Sequence, residues 1–147
     1  MKPDRPGQIA EAVLGALRQV LAGASDVRFA YLFGSIAKGR PRESSDVDVA
    51  VSLDAADAAA RQDRVFALEA ELERLVGRTV QVVVLDDAPL ELRRTVLGHG
   101  ILAHTADDAA RRRFFVDTGR HYYDMAPARA IFARYQRRRI REGTFGG

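Results

Sequence analysis

The stretch FAYLFGSIAKGRPRESSDVDVAVSL, Phe29–Leu53, decides the fold of this chain. The apolar run Val27–Phe33 is short and rich in β-branched and aromatic residues, which predicts a buried strand. It ends abruptly at Gly34-Ser35. A basic segment with glycine and proline follows, and a second apolar run begins at Asp46. We therefore predict two strands joined by a Gly-Ser turn and a basic linker.

The second apolar run carries a pair of carboxylates on one face. Because side chains alternate along a strand, Val47, Val49 and Val51 fall on one side of it. Asp46 and Asp48 fall on the other side, about 7 Å apart along the chain. Two carboxylates so placed can both reach one site for a hard cation. The alternative is a solvated strand face that binds nothing.

The Gly-Ser turn is the second part of the candidate site. A turn that leaves a strand in this way places a backbone N–H and a hydroxyl where a phosphate can bind. Taken alone, Gly34-Ser35 is an ordinary turn in most proteins. Its closeness to the carboxylate pair, inside an apolar hairpin, favours a site for metal-assisted nucleotidyl transfer.

These residues resemble a known signature. Gly34-Ser35, ten intervening residues and then Asp46-Val47-Asp48 are similar to the core motif of the polymerase β-like nucleotidyltransferase superfamily. The resemblance implies that Asp46 and Asp48 hold Mg²⁺ and, with Ser35, carry the chemistry. It further implies that Gly34 and Ser35 bind the phosphates of ATP, the substrate.

Within that superfamily the chain resembles the minimal nucleotidyltransferases, the antitoxin partners of HEPN toxins. The resemblance runs along nearly the whole chain and includes the segments 82–90 and 143–146. It implies a cytoplasmic antitoxin that transfers AMP to a tyrosine of a HEPN-type RNase toxin. A protein partner and a nucleotide are therefore expected, whereas a membrane and direct binding of nucleic acid are not.

The strand Thr79–Leu85 bears on whether the site is active. Members of the superfamily usually place a third carboxylate on this strand, and the matching position here is Gln81. A neutral amide can ligate Mg²⁺ weakly but cannot accept a proton. The resemblance therefore leaves three interpretations: an adenylyltransferase antitoxin, an antitoxin that acts by binding only, and a small-molecule nucleotidyltransferase. Asp86-Asp87 is interpreted as a turn rather than as a substitute for the missing acid.

The linker and the basic C-terminal end carry the remaining charge signals. Lys38, the basic residue nearest the Gly-Ser turn, is a candidate to bind the nucleotide phosphates, whereas Arg42 is expected to be solvated. Residues 111–147 carry 10 arginines and three acidic residues, a net charge of +7. A basic end of this kind indicates an acidic partner surface or nucleic acid, or simply a solvated helix face.

Strands alternating with helices predict an α/β (α+β) domain on a small mixed β-sheet, with flanking helices and a C-terminal helical extension. We assign residues 1–104 to the nucleotidyltransferase core and 105–147 to the extension, packed on the same single domain. Thr105 with Asp108 resembles a capping box that starts a helix. The residues expected to face inward from that helix are Phe114, Phe115, Tyr122 and Met125. Another helix is predicted to start at Pro127.

Composition excludes several classes of protein. A chain of 147 residues is long enough for one core, and its 47% apolar content is that of an ordinary globular domain. Without cysteine there is no disulfide framework and no thiolate metal site. No run approaches the roughly 18 apolar residues of a membrane span. The N-terminal residues lack the apolar core of a signal peptide, which fits a cytoplasmic protein.

Overall fold

The computed structural model describes residues 6–42, 44–124 and 134, and the structural statements below concern these residues. Helices and strands alternate along them. The helices are α1 (Pro6–Ala22), α2 (Gly34–Ala37), α3 (Ala58–Val76), α4 (Leu90–His99) and α5 (Asp108–Asp124), with a 3₁₀ turn at Leu85–Asp87. The strands are β1 (Val27–Phe33), β2 (Val47–Leu53), β3 (Val80–Val84) and β4 (Ile101–Thr105).

The strands form one mixed sheet in the order β3-β2-β1-β4. β1 pairs antiparallel with both β2 and β4, whereas β3 runs parallel to β2. The chain passes from β2 to β3 through α3, because two parallel neighbours need a long crossover connection. The small mixed sheet with flanking helices that the sequence predicts is confirmed.

Helices cover both faces of the sheet. α1 and α3 lie over one face, where Leu17, Leu68 and Val49 are fully buried. α4 and α5 lie over the other, above a smaller cluster that includes Phe29 and Val96. The central strand β2 is therefore enclosed on both sides, which explains why its sequence is almost continuously apolar after the aspartates.

The edge strand β3 is held by carboxylates from α3. The Val80 N–H donates to Glu73 Oε1 at 3.0 Å, and the Val82 N–H donates to Glu69 Oε2 at 2.9 Å. These bonds satisfy two outward-facing donors that an open sheet edge would otherwise present to another chain. They also fix the strand that carries Gln81.

The start of α5 differs from the prediction. Thr105 is the last residue of β4, where it pairs with Phe29. Asp107 Oδ1 instead accepts a hydrogen bond from the Ala110 N–H at 3.0 Å. The capping-box interpretation is therefore wrong: Thr105 belongs to the sheet, and Asp107 caps the helix. Asp108 is the first helical residue and forms ion pairs with Arg111 and Arg112.

The inward face of α5 was predicted only in part. Phe114 packs against Phe29, with ring centroids 5.7 Å apart, as expected. Phe115 is 53% exposed, so its predicted inward position is wrong. Successive residues of a helix point about 100° apart, so two neighbours cannot share one narrow buried stripe. Met125 and the helix predicted from Pro127 lie outside the described residues.

The predicted extension contacts the same sheet as the core. α5 packs against β1 and α4, so residues 108–124 help to cover one face. The division of the chain into 1–104 and 105–147 stays a prediction. Among the helices of the described ranges, none combines the length and the apolarity that crossing a membrane requires.

Candidate nucleotide and metal site

The register of the sheet brings the predicted site residues together. Phe33 lies opposite Asp48 in the antiparallel pair, and Asp48 lies opposite Gln81 in the parallel pair. Gly34 follows β1 directly, and Asp46 comes one residue before β2. Residues that are far apart in the sequence therefore meet at one end of the sheet.

Both the backbone conformation at position 34 and the neighbouring Asp48 require a glycine there. Its φ of +79° lies in the left-handed region, which residues with a Cβ rarely adopt. A Cβ added here would overlap Asp48 Oδ2 and would lie 3.1 Å from Asp48 Cγ. The glycine thus lets the carboxylate of Asp48 approach the backbone of the turn, which no other residue type would allow.

The Gly-Ser turn forms the one-turn helix α2. The buried side chain of Ile36 anchors it, and the Lys38 N–H donates to the Gly34 carbonyl at 3.1 Å. Within the described ranges, the side chains of Ser35 and Lys38 make no hydrogen bond or ion pair. Both are therefore available to a ligand that approaches the turn.

Gln81 lies beside the two aspartates but faces Asp46 with its nitrogen. Gln81 Nε2 donates to Asp46 Oδ2 at 3.3 Å. The amide hydrogen bond offsets part of the charge of Asp46 without adding a carboxylate. This hydrogen bond determines which way the Gln81 amide points. A ligand that displaced the bond would allow the amide to turn and present its oxygen.

Asp48 is under electrostatic strain. Burial raises the pKa of its carboxyl group, and the neighbouring charge of Asp46 raises it further. Both effects disfavour two negative charges at this end of the sheet. A bound cation would relieve both effects, so the pair of carboxylates is suited to hold one.

The donor set fits a hard cation, with one carboxylate fewer than a three-acid site. Asp46, Asp48 and Gln81 offer only oxygen ligands, the type that Mg²⁺ prefers. The described part of the chain contains no group of three acidic, histidine or cysteine side chains placed to hold a metal. Mg²⁺ usually completes its coordination with water and substrate phosphates, so two carboxylates are a sufficient protein contribution.

Sequence reasoning missed Arg78, which holds the linker in front of the carboxylate pair. Its Nη1 donates to the Arg42 carbonyl at 3.3 Å and to the Ser45 carbonyl at 3.2 Å. The Arg42 N–H in turn donates to Ser45 Oγ at 2.6 Å. These bonds position the backbone next to Asp46. No local pattern marks Arg78, because its partners are backbone atoms more than 30 positions away.

Asp86 and Asp87 lie at the opposite end of the sheet. Asp86 accepts hydrogen bonds from the Leu53 N–H and the Ser52 hydroxyl, both at 3.1 Å. Leu53 comes five positions after Asp48, about 17 Å along an extended strand. Asp87 forms an ion pair with Arg61 at 2.7 Å. Neither aspartate can replace a third carboxylate, which agrees with their interpretation as turn residues.

Comparison with known proteins assigns the chain to a family. The family model described as "Polymerase beta, Nucleotidyltransferase" matches residues 16–109, which is more than half of the chain. The chain therefore belongs to this nucleotidyltransferase family. The matched range contains all of the site residues discussed above. Among proteins of curated function, no sequence match is found.

Several solved structures share the fold. A chain of a crystal structure of a toxin–antitoxin with AMP-PNP is 24% identical, with a TM-score of 0.64 over 86% of this chain and 97% of that one. A chain from the complex of a tri-AMPylated Shewanella oneidensis HEPN toxin with an MNT antitoxin is 22% identical, with a TM-score of 0.59 over 88% and 98%. A minimal nucleotidyltransferase is 29% identical, with a TM-score of 0.52 over 69% and 98%.

Proposed function

We propose that this chain is an antitoxin that transfers AMP from ATP to a hydroxyl group of a partner HEPN-type RNase toxin. The observation that carries the proposal is the packing of Asp48, paired with Asp46, against the Gly34 turn. The likeness in fold to chains from toxin–antitoxin complexes supports the choice of partner. Because ATP is the donor, we expect the reaction in the cytoplasm.

Each site residue has a proposed role. Asp46 and Asp48 would hold Mg²⁺, which when bound neutralises the triphosphate and the charge that develops on the α-phosphate. The backbone N–H groups of the turn and the Ser35 hydroxyl would bind phosphate oxygens. Lys38, exposed beside the turn, would contact the outer phosphates.

The transfer is a substitution at the α-phosphorus. The acceptor oxygen forms a bond to that phosphorus, and the bond to pyrophosphate breaks. The acceptor loses its proton, which Gln81 cannot accept because its side chain is a neutral amide. We infer that the proton passes to water or to a phosphate oxygen of the substrate, which makes the reaction slow rather than absent.

One observation favours a second candidate, an antitoxin that neutralises its toxin by binding alone. The Gln81 amide donates to Asp46 and so occupies a carboxylate oxygen that a metal would need. In this case the site would be a remnant, and the protein surface would carry the function.

Intact-mass analysis distinguishes the two candidates. The chain is incubated with labelled ATP, Mg²⁺ and the HEPN protein whose reading frame neighbours its own. Transfer adds whole AMP units to the HEPN protein, and the variant Asp46→Asn with Asp48→Asn adds none. If the wild type neutralises the toxin without any AMP transfer, the binding-only function is correct. If no HEPN reading frame neighbours that of this chain, a nucleotidyltransferase with a small-molecule acceptor would be favoured over both antitoxin functions.

A further inference from the structure

A groove of about 480 Å³ runs between α4 and α5. It is wide enough for several side chains and has both apolar and polar walls. None of the site residues described above lines it. The residues that line it include Arg94, Leu97, His99, Phe115, Tyr122 and Tyr123.

The groove opens at the same end of the sheet as the carboxylate pair. Leu97, in its wall, packs in one cluster with Phe33, and Phe33 lies opposite Asp48. A Cβ on Gly100, the residue after α4, would lie 3.2 Å from the Leu32 carbonyl. The end of α4 therefore abuts the last residues of β1, and a molecule in the groove would lie near the end of the strand that the Gly-Ser turn follows.

Exposed apolar side chains concentrate along this part of α5. Phe115 and Val116 are each 53% exposed and Tyr123 is 76% exposed. Phe115 and Tyr123 are eight positions apart, about 12 Å along the helix axis, which an opposing helix spans in about two turns. Unlike a single exposed apolar side chain such as Phe66, three of them within one short stretch of a helix favour a surface that another protein covers.

The charge of the groove indicates what covers it. The Arg94 guanidinium lies over the Tyr122 ring, 3.7 Å from its centroid, and has no carboxylate partner among the described residues. The neighbouring Arg93 is used internally, because it donates to the Ala88 and Asp86 carbonyls. No described carboxylate lines the groove. Its occupant should therefore supply one.

We propose that this groove docks an acidic, apolar helical segment of the acceptor protein. The proposal rests on the proposed function, since it takes the acceptor to be the HEPN toxin. Apolar side chains of the segment contact Phe115 and Tyr123, and a carboxylate pairs with Arg94. Docking near the end of the strand that the Gly-Ser turn follows would hold the toxin while one of its hydroxyl groups reaches the α-phosphate. This is the helix-in-groove mode of recognition, with anchors at helical spacing.

Two substitutions in the full-length chain test the proposal. Arg94→Glu reverses the unpaired charge, and Phe115→Ala removes an exposed anchor. The matched controls on α3, over the opposite face of the sheet, are Arg74→Glu and the 61% exposed Phe66→Ala. In calorimetry with the purified HEPN protein, each groove variant should bind about tenfold more weakly than the wild type, or more weakly still. The controls should bind like the wild type, and all variants should keep their Tm and their Mg²⁺-dependent ATP binding.

Several outcomes would overturn the proposal. Unchanged toxin affinity in both groove variants would do so. A lower Tm with unchanged toxin affinity would mean that residues 125–147 of the chain cover the groove themselves. Weaker binding of a single-stranded RNA oligonucleotide, with toxin affinity unchanged, would make the groove a nucleic-acid site. A wild-type chain that binds no HEPN protein would refute both this proposal and the proposed function.

The same measurements separate this inference from the proposed function. If the toxin binds through the groove but receives no AMP, the docking surface stands and the adenylyltransferase proposal fails. If the toxin receives AMP and the groove variants bind it like the wild type, the adenylyltransferase proposal stands and the docking surface fails.

Discussion

At the scale of single residues, Gln81 stands opposite Asp48 in the sheet and donates its amide N–H to Asp46. The Gln81→Asp variant places a charge there on a side chain that is one methylene shorter. A general base typically contributes about 10²–10⁴-fold, so we expect at least about a tenfold faster AMP transfer. Affinity for the toxin should not change. Intact-mass time courses measure the rate, with Gln81→Asn as the uncharged control of equal length.

A rate that stays the same or falls in Gln81→Asp would mean either that Gln81 is not the third position or that another group has taken over its role. If both wild type and variant transfer no AMP but still neutralise the toxin, the chain acts by binding only.

Gly34 offers a second test, with a control built into the same loop. Gly34→Ala introduces a Cβ at a φ of +79° and overlaps Asp48. Gly39→Ala introduces one at a φ of +72° with nothing within 4 Å. Both should lose about 1–2 kcal/mol for the left-handed backbone. Only Gly34→Ala should also lose Mg²⁺-dependent ATP binding, because it displaces Asp48.

Chemical denaturation and calorimetry check these expectations. ATP binding retained in both variants would show that the approach of Asp48 to the turn has no functional importance.

The raised pKa of Asp48 predicts that the stability of the folded chain depends on pH. A folded-state pKa above the unfolded value of 3.8 means that the folded protein holds the proton more strongly. Stability of the metal-free chain therefore falls as pH rises through that folded pKa. Asp48→Asn removes the penalty and should raise the Tm at pH 7 by about 1–3 °C, since the burial of a partly exposed carboxylate and its repulsion from Asp46 are together worth under about 1 kcal/mol.

Thermal melts in EDTA at pH 7 and at pH 4 test this sign. The gain should shrink as the pH falls through the folded pKa, because Asp48 then takes up its proton. Mg²⁺ should stabilise the wild type alone. A variant that is less stable than the wild type at pH 7 would contradict the assignment of strain to Asp48.

At the scale of elements, the edge strand β3 depends on two side chains of α3. Glu69→Ala and Glu73→Ala each free one backbone N–H of the strand. Each loss of a charged hydrogen bond should cost about 1.5–3 kcal/mol. The double variant should also self-associate, because the sheet edge becomes open to pairing. Glu71→Ala, on the same helix but without such a bond to β3, is the control.

Denaturant titration and light scattering report the two effects separately. If the double variant stays as stable and as monodisperse as Glu71→Ala, the edge of β3 is protected in another way.

At the scale of the whole molecule, ligand binding and folding are linked. A ligand that binds only the folded chain at about 100 times its Kd adds about 2.7 kcal/mol, or roughly 6–10 °C in Tm for a domain of this size. We expect ATP with Mg²⁺ to produce this shift in the wild type. The double variant Asp46→Asn with Asp48→Asn should keep its fold and show no shift. An equal shift in both proteins would mean that ATP binds elsewhere.

The large-scale layout divides the molecule into two ends. The Gly-Ser turn, the carboxylate pair and the part of the α4–α5 groove near Leu97 lie at one end. Asp86 and its partners Ser52, Leu53 and Arg28 lie at the other. Since the candidate site and the exposed apolar side chains of α5 share one end, a partner protein bound there would be close to a nucleotide at the candidate site.

Local patterns alone determined the strands, the turn between them and the pair of aspartates. Alternation placed Asp46 and Asp48 on one face, and the Gly-Ser step marked the turn, because each signal lies within a few neighbouring residues. Gln81 was found through the resemblance of its strand to a family pattern. These features depend on short-range sequence, so no knowledge of the packed structure was needed.

Only the tertiary structure decided the contacts between distant segments. The sheet register put the Gln81 amide against Asp46, gave Thr105 to β4, and sent Asp86 to the far end of β2. Arg78 reaches backbone carbonyls that any residue could have supplied, so its role leaves no mark in the sequence. The exposure of Phe115 depends on which stripe of α5 the sheet can bury. Such pairings follow from how the elements pack together, and that information is spread over the whole chain.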